Sequence, residues 1–240
     1  MLKKKIFIHQ NIPYSFNWNK THHREKYLQI TSNREELNRL KDHFKKVLEG
    51  LIPNNLFNTK QFPRVSQFKI RGIKNAFIRS FSKNLIRSNK IQYHDCNSKL
   101  PKYAQKVYEN YQANNFPGTP GHEPILKNIL IKDKDAIAIE VPIWNDQKKN
   151  IITGHIDLIQ IQNDVVKVID YKPEGNFLLS LPQVSMYGLL IKSKLNIKDL
   201  RCISFNKEGA WEYDPNILKI DVKDYLISQR IDERPWENFI

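Results

Sequence analysis

The sequence predicts an α/β fold with a mainly helical, basic region in front of it, and three observations predict this. From residue 136 onward the hydrophobic pattern reads strand, strand, strand, helix, strand, strand, helix. Before about residue 120 the apolar residues recur at helical spacing among many basic ones. The 240 residues are 40% hydrophobic and 11% aromatic, enough to build a packed core and too many for a disordered chain. The expected division is a basic region over 1–115 and an α/β core over 116–240.

The elements follow in order. Ser32 and Glu35 form a capping-box pattern at the start of a helix over Arg34–Glu49, where Leu37, Leu40, Phe44 and Leu48 make one apolar stripe. Gly50 and Pro53 stop it. Residues 64–90 carry eight basic side chains and no acidic one, and residues 72–88 read as an amphipathic helix with Phe77, Ile78, Phe81 and Ile86 interleaved. A third helix is expected over 102–113, with Tyr103, Val107, Tyr108 and Tyr111 as its stripe. Residues 116–124 are a proline- and glycine-rich loop that leads into a short helix over 124–130.

The pattern then turns to strands. Residues 136–144 are apolar and β-branched, and residues 145–150 are polar and turn-like. Residues 151–161 and 165–171 read as two strands around a turn at Gln162-Asn163-Asp164. A helix over 180–195 has Pro182 in its first turn, where proline is tolerated. Strands over 200–205 and 210–213 and a helix over 222–230 complete the chain.

The net charge of +14 favours a polyanionic partner, nucleic acid first and an anionic membrane surface second. No apolar run approaches the roughly 20 residues that span a bilayer, so no membrane partner is expected. The apolar part of the N-terminus is too short for a secretory signal. Two cysteines, Cys96 and Cys202, cannot form a four-thiolate site and do not suggest a disulfide framework. An intracellular location (cytoplasm, nucleoid or organelle matrix) is expected. No G-x-x-x-x-G-K-[ST] loop is present, so any coupling to a helicase needs a separate chain.

The stretch GHIDLIQIQNDVVKVIDYKPE, residues 154–174, carries the chemistry. Asp170 and Lys172 are two apart on one strand and share a face, while Tyr171 points the other way into the core. A hairpin centred at Asn163-Asp164 sets Asp157 opposite Asp170, with side chains about 5 Å apart. Two carboxylates at that spacing, with the Tyr171 carbonyl and waters, suit Mg²⁺ or Mn²⁺. Such an ion lowers the pKa of a bound water and offsets charge on a phosphate, which is chemistry for cutting a phosphodiester. Lys172 is expected to orient the water or stabilise the transition-state anion, or to act as a base if its surroundings depress its pKa. His155 is expected to face away from Asp157, as packing or surface, and Glu174 to lie outside the metal site.

Asp157 followed by Asp170-X-Lys172 after a hairpin resembles the PD-(D/E)XK nuclease superfamily. The G-x-x-D strand at 154–157, the V-x-D-Y-K strand at 168–172 and the Q-x-x-x-Y helix at 183–187 resemble its RecB-like branch. The likeness covers about residues 118–205. It implies a restriction-endonuclease-like core, a central mixed β-sheet flanked by helices. It also implies that His122 joins the metal site and that Glu140, one strand before Asp157, binds a second metal or orients water. Gln183 and Tyr187 are implied to contact the DNA backbone or hold Lys172.

The expected activity is metal-dependent hydrolysis of single- or double-stranded DNA in repair, recombination or replication, with room for a helicase or replication partner. Arg71, Lys74, Arg79 and Lys83 are expected to track phosphates from the basic N-terminal lobe. A catalytically silent nuclease-fold DNA-binding module and an RNA-processing nuclease are the alternatives.

Overall fold

The computed structural model describes residues 1–30, 34–147, 150–173 and 175–240. Ser32, Glu174 and part of the turn expected over 145–150 fall outside the described residues. In chain order the elements are β1 (Leu2–His9), β2 (Ile12–Asn19), α1 (Lys20–Gln29), α2 (Arg34–Glu49), α3 (Asn54–Asn58), α4 (Asn75–Arg87), β3 (Ile91–Asp95), α5 (Lys99–Ala113) and α6 (His122–Lys132). They continue with β4 (Ala136–Asn145), β5 (Ile152–Gln162), β6 (Val165–Tyr171), α7 (Phe177–Leu195), β7 (Leu200–Phe205), β8 (Gly209–Tyr213) and α8 (Asp221–Ser228).

All eight strands join one mixed sheet in the order β1-β2-β4-β5-β6-β7-β8-β3. Among the strands of the described residues, only β6 and β7 pair in parallel, and a parallel pair needs a crossover, which α7 supplies. Helices cover both faces. The larger core packs α2, α4, α7 and α8 against the sheet. The smaller core packs α5 and α6 against Ile139, Leu158, Ile169 and Tyr171. The chain is thus an α/β protein with helices on either side of its sheet. No helix among the described residues is long and apolar enough to cross a membrane.

The first 115 residues are helical for most of their ordered length, but they also supply three strands that the hydrophobic pattern does not announce. Strands β1 and β2 form a hairpin closed by Gln10 and Asn11, both at positive φ (52° and 66°), and β2 pairs with β4. Lys3, Lys4 and Lys5 hide the apolar alternation of β1, because an edge strand buries few of its side chains. Strand β3 closes the opposite edge against β8. Both halves of the chain therefore share one sheet.

Helix α7 begins earlier than its sequence suggests. Asn176 caps it, its side chain accepting the Leu178 N–H at 2.9 Å, so Pro182 lies inside the helix and not in its first turn. The missing N–H costs one backbone hydrogen bond, which burial of nearly the whole helix offsets.

Candidate active site

The acidic residues come together through strand register. Asn163 and Asp164 take positive φ (49° and 64°), as a two-residue hairpin turn between twisted strands requires. The β5–β6 ladder runs from Gln162↔Val165 to Leu158↔Ile169, and the next pair in that register is Asp157 with Asp170. There the ladder stops. The Asp157 carboxylate accepts the Tyr171 main-chain N–H through Oδ2 at 2.9 Å instead. On the other side, Ile139↔Leu158 and Val141↔Ile156 leave Glu140 opposite Asp157. Three carboxylates thus lie in a row across β4, β5 and β6.

The row sits at an irregularity in two strands. Ile139 and Leu158 pack in the smaller core, whereas Val141 and Ile156 pack in the larger one. Residues two apart on a regular strand share a face, so both strands turn over at Glu140 and Asp157. Glu140 accomplishes this with φ of 52°, uncommon for a residue with a side chain. Such backbone outliers persist where surrounding structure imposes them and concentrate at functional sites.

Asp170 is fully enclosed. Its Oδ1 accepts from Gln183 Nε2 at 3.2 Å. Its Oδ2 forms an ion pair with Lys172 Nζ at 2.5 Å. Lys172 donates to Gln183 Oε1 at 3.1 Å, so Gln183 holds both residues. Tyr187, four residues along α7, is buried and presses on Gly154, where a Cβ would stand 2.5 Å from Tyr187 Cε1. Gly154 is needed for that close approach. His122 is the first residue of α6, with Gly121 before it as N-cap. Its Nδ1 lies 3.3 Å from Asp157 Oδ2, and its ring meets that of Tyr171 edge-on.

These neighbours shift one another's proton affinity. Burial, then the charge of Asp157, raises Asp170 to about 7. The same two causes raise Glu140 to about 8. His122 is raised, chiefly by its hydrogen bond to Asp157. Burial acts to lower Lys172, but Asp170 and Asp157 outweigh it and the net shift is upward. That direction is opposite to the depression a base role for Lys172 would need.

The protein matches no family model and no curated protein.

The donor set fits a hard divalent cation, since carboxylates from Glu140, Asp157 and Asp170 predominate in it. With the side chains as they stand, however, no group of three or more His, Cys, Asp or Glu among the described residues is arranged to hold a metal ion. The expected ligands His122, Asp157 and Asp170 direct their polar atoms at protein partners. Asp157 is engaged by His122 and the Tyr171 N–H, and Asp170 by Gln183 and Lys172.

Other expected residues lie apart. Arg71, Lys74, Arg79 and Lys83 are exposed on α4 and the segment before it, and no hydrogen bond or ion pair among the described residues joins them to the acidic row. Arg71 lies 3.7 Å from Glu233. Arg64, the first of the eight basic residues over 64–90, is buried. Its Nη2 donates to the Tyr14 hydroxyl at 2.8 Å and to His155 Nδ1 at 3.2 Å. His155 Nε2 then meets His9 Nδ1 at 2.9 Å, and His9 Nε2 meets Asn54 Oδ1 at 3.1 Å. Because Arg64 can only donate, the protons run one way along this chain: His155 donates to His9, and His9 to Asn54. His155 is thus packing, although alternation along a regular strand would set it on the face of Asp157, two residues on. The chain pins the β1–β2 hairpin to β5, and only a reading that found the hairpin could have anticipated it.

Proposed function

We propose that the protein is a divalent-metal-dependent nuclease that hydrolyses phosphodiester bonds of DNA, with a restriction-endonuclease-like core of the PD-(D/E)XK type. The observation that carries this reading is the placement of Asp157 and Asp170 side by side on paired strands, with Lys172 against Asp170 and Gln183 bonded to both Asp170 and Lys172. Asp157 and Asp170 would hold Mg²⁺ or Mn²⁺, with Glu140 and His122 beside them. When bound, the ion supplies Lewis acidity toward the phosphate and acidifies a water.

The chain's own residues supply the rest. Lys172, kept protonated by its acidic neighbours, stabilises negative charge that builds on the phosphate. Gln183 fixes the ammonium's position, and Tyr187 packs the helix that carries Gln183 against Gly154. The exposed basic residues of α4 offer contacts to the phosphate backbone, with binding that weakens as salt rises.

The test is cleavage of end-labelled single- and double-stranded DNA, and of RNA, with Mg²⁺, with Mn²⁺ and with EDTA. Metal-dependent cleavage of DNA is expected, with a loss of at least about a hundredfold in Asp170→Asn and Lys172→Ala proteins. Full activity in both variants, or none in the wild type, sinks the proposal. A preference for RNA moves it to RNA processing.

A further inference from the structure

We propose that the cavity between the β1–β2 hairpin and Glu140 seats one nucleotide of the substrate strand, with Lys4 on its phosphate. The inference rests on the nuclease reading and extends its site onto the hairpin. Strand register opens the cavity. Among the described residues, β2 pairs with β4 only through Asn17↔Ile139 and Trp18↔Ala138. The next step of that ladder would set Phe16 opposite Glu140, but there the β4 backbone turns over at a φ of 52° and the pairing ends.

The cavity has a volume of about 240 Å³. The hairpin contributes Lys4, Ile6 and Pro13 to its lining, α6 contributes Leu126, and β4 contributes Ile139 and Glu140. Glu140 belongs both to the cavity and to the acidic row, so a strand held at Asp157 and Asp170 can continue into it. The hairpin side is open to solvent. Alternation puts Lys4, Ile6 and Ile8 on one face of β1, where Lys4 is exposed and Ile6 and Ile8 are 56% and 65% exposed. Lys4 is the one cation in the lining and makes no ion pair among the described residues. Glu123, which also lines the cavity, is paired with Lys127 at 2.6 Å.

An unpaired ammonium beside exposed apolar side chains matches the two halves of a nucleotide. The phosphate meets Lys4, and the sugar and base pack on Ile6 and Pro13. A bare anion would leave the apolar wall uncovered, and an apolar ligand would leave the ammonium unmatched. The volume lies below the roughly 300 Å³ at which pockets for drug-sized ligands begin, so it suits one nucleotide and not a segment of duplex. A second copy of the chain fits the same face poorly. Pairing along the β1 edge would bring two sets of Lys3, Lys4 and Lys5 together, and like charges set against one another oppose association.

The test is fluorescence-anisotropy titration of a short, labelled single-stranded DNA oligonucleotide in EDTA, at several salt concentrations. Lys4→Ala is expected to weaken binding about tenfold and to flatten the dependence of log K on log salt by about 0.7, the loss of one phosphate contact. Lys5→Ala removes the same charge from the opposite face of β1 and is expected to leave binding close to wild type. Ile6→Glu, which sets a carboxylate in the seat, is expected to weaken binding at least as much as Lys4→Ala. Thermal melting checks that the variants fold, with Lys4→Gln in reserve. No binding by the wild type, or equal effects of Lys4→Ala and Lys5→Ala, overturns the proposal. So does an Ile6→Glu protein that binds normally but splits a dimer in sedimentation, which would give the face to a second copy. Cleavage of the same oligonucleotide with Mg²⁺ is read separately. Lys4-dependent binding without cleavage sinks the nuclease assignment alone, and cleavage with binding indifferent to Lys4 sinks this inference alone.

Discussion

The carboxylate of Asp157 accepts the main-chain N–H of Tyr171 at 2.9 Å, one register step beyond the last pair of the β5–β6 ladder. A side chain thus does for the sheet what a carbonyl does elsewhere, and it ties together the two strands that carry the acidic pair. Asp157 is at once a candidate ligand and a structural acceptor.

The two roles separate on substitution. Asp157→Asn keeps an acceptor oxygen and is expected to unfold in urea close to wild type, whereas Asp157→Ala leaves a buried N–H unmet and costs about 1–3 kcal/mol. Both are expected to lose cleavage. Equal stability of the two variants would remove the structural role.

Gly154→Ala tests how tightly α7 is seated. The added Cβ meets Tyr187 Cε1 at 2.5 Å and Val65 Cβ at 3.2 Å, and the buried Tyr187 ring has little room to retreat. Overpacking of this kind costs about 1–3 kcal/mol. Equilibrium unfolding should show that loss, and Gly154→Ala combined with Tyr187→Leu should recover part of it. An unperturbed melting curve for Gly154→Ala would mean that the helix rides more loosely than this contact implies.

Acid should destabilise the fold through its buried imidazoles. Burial is the chief cause that lowers His23 and His43 to about 4, from an ordinary value of 6.5. Between those values the unfolded chain takes up protons that the folded chain refuses. Their contribution is therefore complete above pH 6.5 and is lost as the pH falls through 4. At about 1.4 kcal/mol per tenfold in proton affinity, the limit is roughly 3 kcal/mol for each. His9 and His155, also lowered by burial, act in the same direction. Glu140 and Asp170, raised to about 8 and about 7, act oppositely: the folded state keeps their protons longer, so their contribution falls as the pH rises toward those values. Urea unfolding of wild type and His43→Gln from pH 7.5 to 4 isolates one imidazole. The stability gap between them should shrink as the pH falls, and a constant gap would refute the assignment.

The C-terminal half was legible because its signals are local. Strand β6 has the expected limits, its turn lies at Asn163 and Asp164, and the order of elements from β4 to α8 is as the pattern suggests. The β1–β2 hairpin was not legible, because lysines on an edge strand break the alternation on which strand recognition depends. Helix α1 has only His23 buried and a polar sequence, so it carries almost no apolar stripe. The backbone turn at Glu140 left no mark either, since glutamate does not announce a positive φ.

The sequence by itself determined the sheet register that sets Asp157 opposite Asp170, because a two-residue turn and a period of two leave a single alignment. Tertiary structure decided the rest of the site. It brought His122 from α6 to Asp157, and Gln183 from α7 to Asp170 and Lys172. It also buried Arg64, which sequence grouped with the exposed cations. Register is a property of neighbouring residues, whereas burial and the charge around a side chain depend on which distant elements close over it.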